Sequence, residues 1–199
     1  DSPTVLGAIS TDIMYENVME KWAWGNMDDV EHGIYMDENN RRMVTNIRLQ
    51  MSNLAESLVK ENQPQKAMAV LDELVRATPK ENVPYSRVMM PVAETYLQLA
   101  SNDEVAPATK GLSDADREHA WSMALDVTNH FMAMQEDQVA YFTSLDSEYY
   151  VAAERDVQFA LQIGDRLVRV MKYFHATAPE TAELEGRLTD MESAVDLSL

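Results

Sequence analysis

Met51-Ser52-Asn53-Leu54-Ala55-Glu56-Ser57-Leu58-Val59-Lys60-Glu61-Asn62-Gln63-Pro64-Gln65-Lys66-Ala67-Met68-Ala69-Val70-Leu71-Asp72-Glu73-Leu74-Val75-Arg76-Ala77-Thr78-Pro79 is the stretch that decides the fold. Met51, Leu54, Ala55 and Leu58 recur at helical spacing, so one face of a first helix is apolar. Gln63-Pro64 breaks it, because the residue before a proline is pushed out of the α region. Ala67, Val70, Leu71 and Leu74 then line a second helix, which stops before Pro79. So short a connection forces the two helices to pack antiparallel. Asp37 is a plausible cap for the first of them, which then runs to about Asn62.

Placing Pro79 at the terminal proline of a tetratricopeptide (TPR) unit brings Leu54, Ala55 and Leu58, then Ala67, Leu71 and Leu74, onto that repeat's signature positions. The small residues, Ala55 and Ala67, fall where such a pair approaches most closely. Residues 37–79 therefore read as a first TPR-like unit. A second spans 85–133, after a short insertion around Glu81-Asn82-Val83-Pro84. Its first helix carries Met89, Val92, Ala93 and Tyr96, with Pro91 inside, so it starts late or kinks. Its second carries Ala120, Ala124 and Val127 behind a capping box at Ser113 and Asp116. Between them, residues 101–113 read as a long loop with Pro107 and Gly111, of a length that is often functional or mobile.

Outward from these units, residues 1–10 read as an irregular lead-in. Thr11 or Asp12 caps a short helix with Tyr15, Val18, Met19 and Trp22 on one face, and residues 25–36 form a loop. Past Phe131 the repeat fails. A short helix is expected over 135–145 and one long helix over 148–177, with Ala153, Val157, Ala160, Leu161, Val168 and Met171 broadly on one side and Gly164 at mid-length. A last helix opens at Pro179 with a stripe of Leu184, Leu188, Met191 and Val195, the form of a cap on a repeat array. No strand pattern occurs. The expected architecture is one all-α domain over 1–199: an N-terminal helix and loop (11–36), two TPR-like antiparallel pairs, and C-terminal helices (135–199) that include a long helix and a capping helix.

The composition narrows the function. Apolar residues make up 46% of the chain, too many for a disordered segment. Fourteen methionines against four phenylalanines suit helix packing by unbranched side chains. The formal net charge of −18 opposes nucleic acid and anionic lipid alike. Residues 1–40 are especially acidic, with nine Asp or Glu against Lys21 alone. No cysteine is present, which excludes disulfides, thiolate catalysis and Cys-ligated zinc. No apolar run is long enough to span a membrane. The chain opens Asp1-Ser2-Pro3 without a methionine, so it is expected to be a piece of a longer protein.

Few side chains suggest chemistry. His119, Met123, Asp126 and His130 share a helix face at spacings of 4, 3 and 4. The two histidines stand about 16 Å apart along the axis and cannot share one ion. No metal site, cofactor or catalytic set is therefore assigned. Trp22 and Trp24 are expected to pack on the helical core, with an interfacial aromatic belt as the alternative. Asp28, Asp29, Glu31, Asp37 and Glu38 lack the alternation of a calcium loop. Arg41-Arg42 reads as a solvated basic pair. The inner face of a TPR array is lined by its first helices, which here offer Leu49, Ser52, Asn53, Glu56 and Lys60, then Arg87, Glu94, Leu97 and Gln98. That mixed surface is the candidate groove for a protein or peptide partner. Glu73 is expected on the outer helix face.

Three stretches carry a family resemblance. They are Thr11-Asp12-Ile13-Met14-Tyr15-Glu16-Asn17 through Trp24-Gly25-Asn26-Met27-Asp28-Asp29; Tyr35-Met36-Asp37-Glu38-Asn39-Asn40-Arg41-Arg42-Met43; and Asn82-Val83-Pro84-Tyr85 with Pro91-Val92-Ala93-Glu94-Thr95-Tyr96. Together they resemble the C-terminal extramembrane region of a Bacteroidetes family of multi-pass membrane proteins similar to protein O-mannosyltransferases, which use lipid-linked sugars. The resemblance covers most of residues 8–100 and is most specific at the Trp-Gly-Asn-Met block. It implies an appendage on the periplasmic side of the inner membrane. The family's catalytic acids lie in the membrane portion, and none maps onto this chain. The expected function is a non-catalytic accessory domain that docks an acceptor or partner protein. The alternative is a free-standing TPR-like adaptor unrelated to sugar transfer.

Overall fold

The computed structural model describes residues 10–145 and 147–196, excepting the side chains of 147–152. The lead-in expected over 1–10 lies, apart from Ser10, outside the described residues. All regular structure among the described residues is helical, in seven α-helices with no strand. They are α1 (Thr11–Glu16), α2 (Glu38–Lys60), α3 (Pro64–Ala77), α4 (Met90–Ala100), α5 (Asp114–Thr143), α6 (Ser147–His175) and α7 (Pro179–Asp196). The chain divides into two compact units, 1–121 and 122–199, with the boundary inside α5.

In the first unit, α2 starts at Asp37, whose carboxylate accepts the Asn40 N–H at 2.8 Å. Met51, Leu54, Ala55 and Leu58 are buried, and so are Ala67, Val70, Leu71 and Leu74 of α3. Asn62 turns the chain between the two helices in the left-handed region, at φ 58°, and Pro64 opens α3, where its missing N–H costs nothing. α4 packs against both α2 and α3. A 3₁₀ turn at Arg87–Met89 precedes it and Pro91 sits in its first turn, so the helix starts late and Pro91 does not interrupt it. At α1 the capping expectation fails. Ser10 holds the cap position without a side-chain bond, and Thr11 is buried, donating its hydroxyl to Glu61 Oε2 at 2.8 Å. A π turn, Asn17–Lys21, continues α1.

Two connections are more tightly held than their composition suggests. In the 25–36 loop Gly25 and Gly33 take positive φ (62° and 64°), where a side chain would be strained. Arg76 bonds Asp28 at 2.6 Å, and the Asn82 amide donates to Met27 O (2.8 Å) and Asp29 O (3.0 Å). The 101–113 loop contains a 3₁₀ turn, Pro107–Thr109. Arg117 reaches in from α5 to bond Ser101 O, Thr109 O and Asp103. The Ser113–Asp116 capping box forms: Ser113 N–H donates to Asp116 Oδ2 at 2.9 Å, and Asp116 N–H to Ser113 Oγ at 3.2 Å.

The separate helix expected over 135–145 does not exist. α5 continues through it to Thr143, because Phe131, Met132, Gln135 and Val139 keep one face buried and no Gly or Pro interrupts. In the second unit α6 packs on α7. A Cβ built on Gly164 would lie 3.0 Å from Leu188 Cδ1 and 3.5 Å from the end of Met132, so α6 approaches both neighbours closely there. Arg187 of α7 bonds Glu136 (2.7 and 2.8 Å) and Asn129 (2.9 Å) of α5, and Lys172 of α6 pairs with Glu185 of α7 at 2.5 Å. Leu184, Leu188, Met191 and Val195 form the buried stripe of α7.

Candidate functional site

The residues expected to line a groove fall on α2, on α4 and on the 3₁₀ turn that precedes α4, all in the first unit. On α2 the spacing of Leu49, Asn53, Glu56 and Lys60 places them on one face. Lys60 is exposed, the other three are half-buried, and Lys60 lies 3.8 Å from Glu56. Glu94 and Gln98 are half-buried, one turn apart on α4, and Arg87 is exposed on the preceding 3₁₀ turn. Two members of the set are displaced from it. Ser52 and Leu97 are buried in the core and present nothing to a ligand. Each lies next to a face residue in sequence, and the 100° step per residue turns it inward. Ser52 Oγ has no hydrogen-bond partner.

Beside this face, Asp72 of α3 joins three helices. Its Oδ1 accepts the Tyr96 hydroxyl of α4 at 2.8 Å and lies 3.0 Å from His119 Nε2 of α5. Burial, and then the Asp72 charge, hold the Tyr96 phenol well above its ordinary range, so it stays protonated and donates. His119 is thus engaged across the helix packing, on the face where its relation to Asp126 and His130 raised the question of metal binding. Among the described residues, no group of three or more His, Asp or Glu is arranged to hold a metal ion.

Sequence reasoning missed Arg48. It lies on α2 beside Leu49 and is fully buried. Its Nε donates to Thr78 Oγ1 (3.0 Å), its Nη2 to Thr78 O (2.6 Å) and Val83 O (2.7 Å), and its Nη1 to Pro84 O (3.1 Å). The Tyr85 ring lies 5.3 Å from the guanidinium carbon. Burial lowers its pKa to about 10, against which the neighbouring Tyr85 acts weakly. Arg48 thus closes the carbonyl-rich end of α3 and pins the segment leading to α4. A guanidinium suits this because its planar fork serves several acceptors at once.

Arg42 pairs with Glu38 at 2.6 Å, and Arg41 Nε donates to Met36 O at 3.0 Å. Trp22 and Trp24 meet edge to face at 5.5 Å. Trp22 is 37% exposed, so it is not a core residue. Glu73 is not an idle outer-face carboxylate. Arg76 grips it at 2.7 Å through both Nε and Nη2, and this, with a hydrogen bond from Trp24, holds its carboxyl below the ordinary range against the opposing effect of burial. No protein family, curated protein or solved structure matches this chain. No helix of the described residues is long and apolar enough to cross a membrane.

Proposed function

We propose that this chain is a non-catalytic docking module built from TPR-like helix pairs, and that it serves a membrane-bound glycosyltransferase-like protein from the periplasmic side by holding an acceptor or partner protein. The observation that carries the reading is that α2, with Asn53, Glu56 and Lys60 not fully buried, packs against α4, where Glu94 and Gln98 are likewise not fully buried. Helix pairs in series bind through such first-helix faces. The TPR phase is supported by Ala55 and Ala67, both fully buried within the α2–α3 pair. A docked acceptor gains effective concentration at a nearby active site without this chain contributing to the chemistry.

The test is double charge reversal, Glu56→Lys with Glu94→Lys, in the full-length protein. Transfer to protein acceptors should fall while circular dichroism shows the domain still folded. Glu81→Lys, at an exposed position, is the comparison. Glu73 is unsuitable for that purpose because it anchors Arg76. Undiminished transfer by a protein lacking residues 1–199 would eliminate docking. A coding sequence with no hydrophobic spans ahead of Asp1 would move the chain to the free-standing adaptor class.

A further inference from the structure

The segment 25–33 in the first unit is fixed at both ends and held only by polar contacts between them. None of its residues is fully buried, and only Met27 and Asp29 are half-buried. Met27 packs against a small apolar cluster of Met36, Val44 and Val83, which also takes Ile34. Clusters of this kind form beneath long loops. The stems are anchored. Trp24 hydrogen-bonds to Glu73 on one side, and on the other Met36 is buried, its carbonyl accepting from Arg41 at 3.0 Å. Just inside these anchors stand Gly25 and Gly33, where a side chain would meet nothing within 4 Å. Glycine absorbs large changes of φ and ψ at no steric cost. Between the glycines the chain is braced on itself. The Asp29 carboxylate accepts the His32 N–H at 3.0 Å and lies 2.9 Å from His32 Nδ1, and Asp29 N–H donates to Asn26 O at 3.1 Å. Arg76 holds this braced tip through Asp28 at 2.6 Å, and Asn82 holds it through Met27 O and Asp29 O.

We propose that residues 25–33 form a latched lid, hinged at Gly25 and Gly33, that opens as a unit over the Val83 cluster while α2 and α3 stay folded. Opening forfeits little. The side chains of Arg76 and Asp28 are 53% and 41% exposed, so water and ions take over their pairing. Arg76 keeps its second carboxylate, Glu73 at 2.7 Å, when Asp28 leaves. The carbonyls of Met27 and Asp29 swing out to water, so neither is stranded. The cluster loses one half-buried side chain, Met27, while Val30 at the tip is 46% exposed already. The α2–α3 pair is held differently, by Leu54, Ala55, Leu71 and Leu74, all at 0% exposure. Segments with few buried apolar contacts open at a lower free energy than the core that carries them. The lid does not depend on the docking reading, since its hinges, latches and cluster lie away from Glu56 and Glu94 in sequence and share no hydrogen bond with them.

The chain has no cysteine, so a single introduced thiol reports without background. Val83→Cys places it at a position 2% exposed, next to the Asn82 latch, and Val70→Cys places a control at 0% exposure inside the α2–α3 pair. Modification of the full chain by N-ethylmaleimide is followed near neutral pH without denaturant. The thiol of Val83→Cys should react at least about tenfold faster than that of Val70→Cys, because local opening is commoner than global unfolding. Adding Asp28→Ala should speed it by about three- to fivefold, the worth of one exposed ion pair. Adding Asn82→Ala should speed it by about tenfold or more, since two hydrogen bonds are lost. The Val70→Cys rate should not respond to Asp28→Ala. Three results would overturn the proposal: equal rates at the two buried thiols, a Val83→Cys rate matching that of Glu81→Cys at an exposed position, or an Asp28→Ala effect that is absent or the same at both thiols.

Discussion

Truncating Arg48 to alanine tests how the first unit is held together, and its cost can be worked from the contacts. Four acceptors lose their donor. Pro84 is exposed, so its carbonyl finds water, and Thr78 Oγ1 keeps its own bond to Leu74 O at 2.6 Å. That strands the carbonyls of Thr78 and Val83, both on buried residues. Each buried unsatisfied acceptor costs about 1–3 kcal/mol, so the two together cost roughly 2–6. Loss of the alkyl stem adds a cavity term of about 1–2 kcal/mol. Removing a buried cation returns some of this. The fall of its pKa to about 10 reflects a burial penalty on the order of 3 kcal/mol. The expected net loss is about 3 kcal/mol. Urea unfolding should show the midpoint falling by about 1–2 M with the slope unchanged. Arg48→Lys should recover little, because an ammonium cannot reach carbonyls on both sides of the planar fork. A loss below about 1 kcal/mol for the alanine variant, or near-complete rescue by lysine, would refute the account.

Two further outcomes follow from single contacts. At Gly164 an added methyl meets Leu188 Cδ1, the flexible end of a side chain, at 3.0 Å, while alanine improves helix propensity by about 1 kcal/mol; Gly164→Ala should therefore unfold near the wild-type temperature and Gly164→Leu well below it, by about 1–3 kcal/mol or more in stability. Glu73 is held below its ordinary pKa, first by its hydrogen bonds to Arg76, so its contribution is complete above the unfolded-state value and is lost as pH falls through the folded one; Glu73→Gln should flatten the acid limb of the stability–pH curve and leave its slope near neutrality alone.

What could be read without coordinates was whatever is decided within a few residues. The α2–α3 pair was legible because its apolar period and Pro64 and Pro79 act locally. The Asp37 cap and the Ser113–Asp116 box were legible because each closes over three residues. The end of α5 was misread where the repeat pattern lapses, since a continuous helix needs only a buried face and no breaker, whatever its repeat phase. Periodicity placed Ser52 and Leu97 on the correct helices but not on the correct side of the surface, because burial depends on what packs opposite. Arg48 was invisible for the same reason. An arginine on a helix reads as solvated, and its acceptors lie 30 to 36 residues away. The 25–36 loop likewise owes its form to Arg76 and Asn82, about 50 residues on. Local chain stiffness and side-chain period set the helices and their apolar faces. Only tertiary packing, by bringing distant carbonyls and carboxylates to particular donors, decided which polar groups are structural.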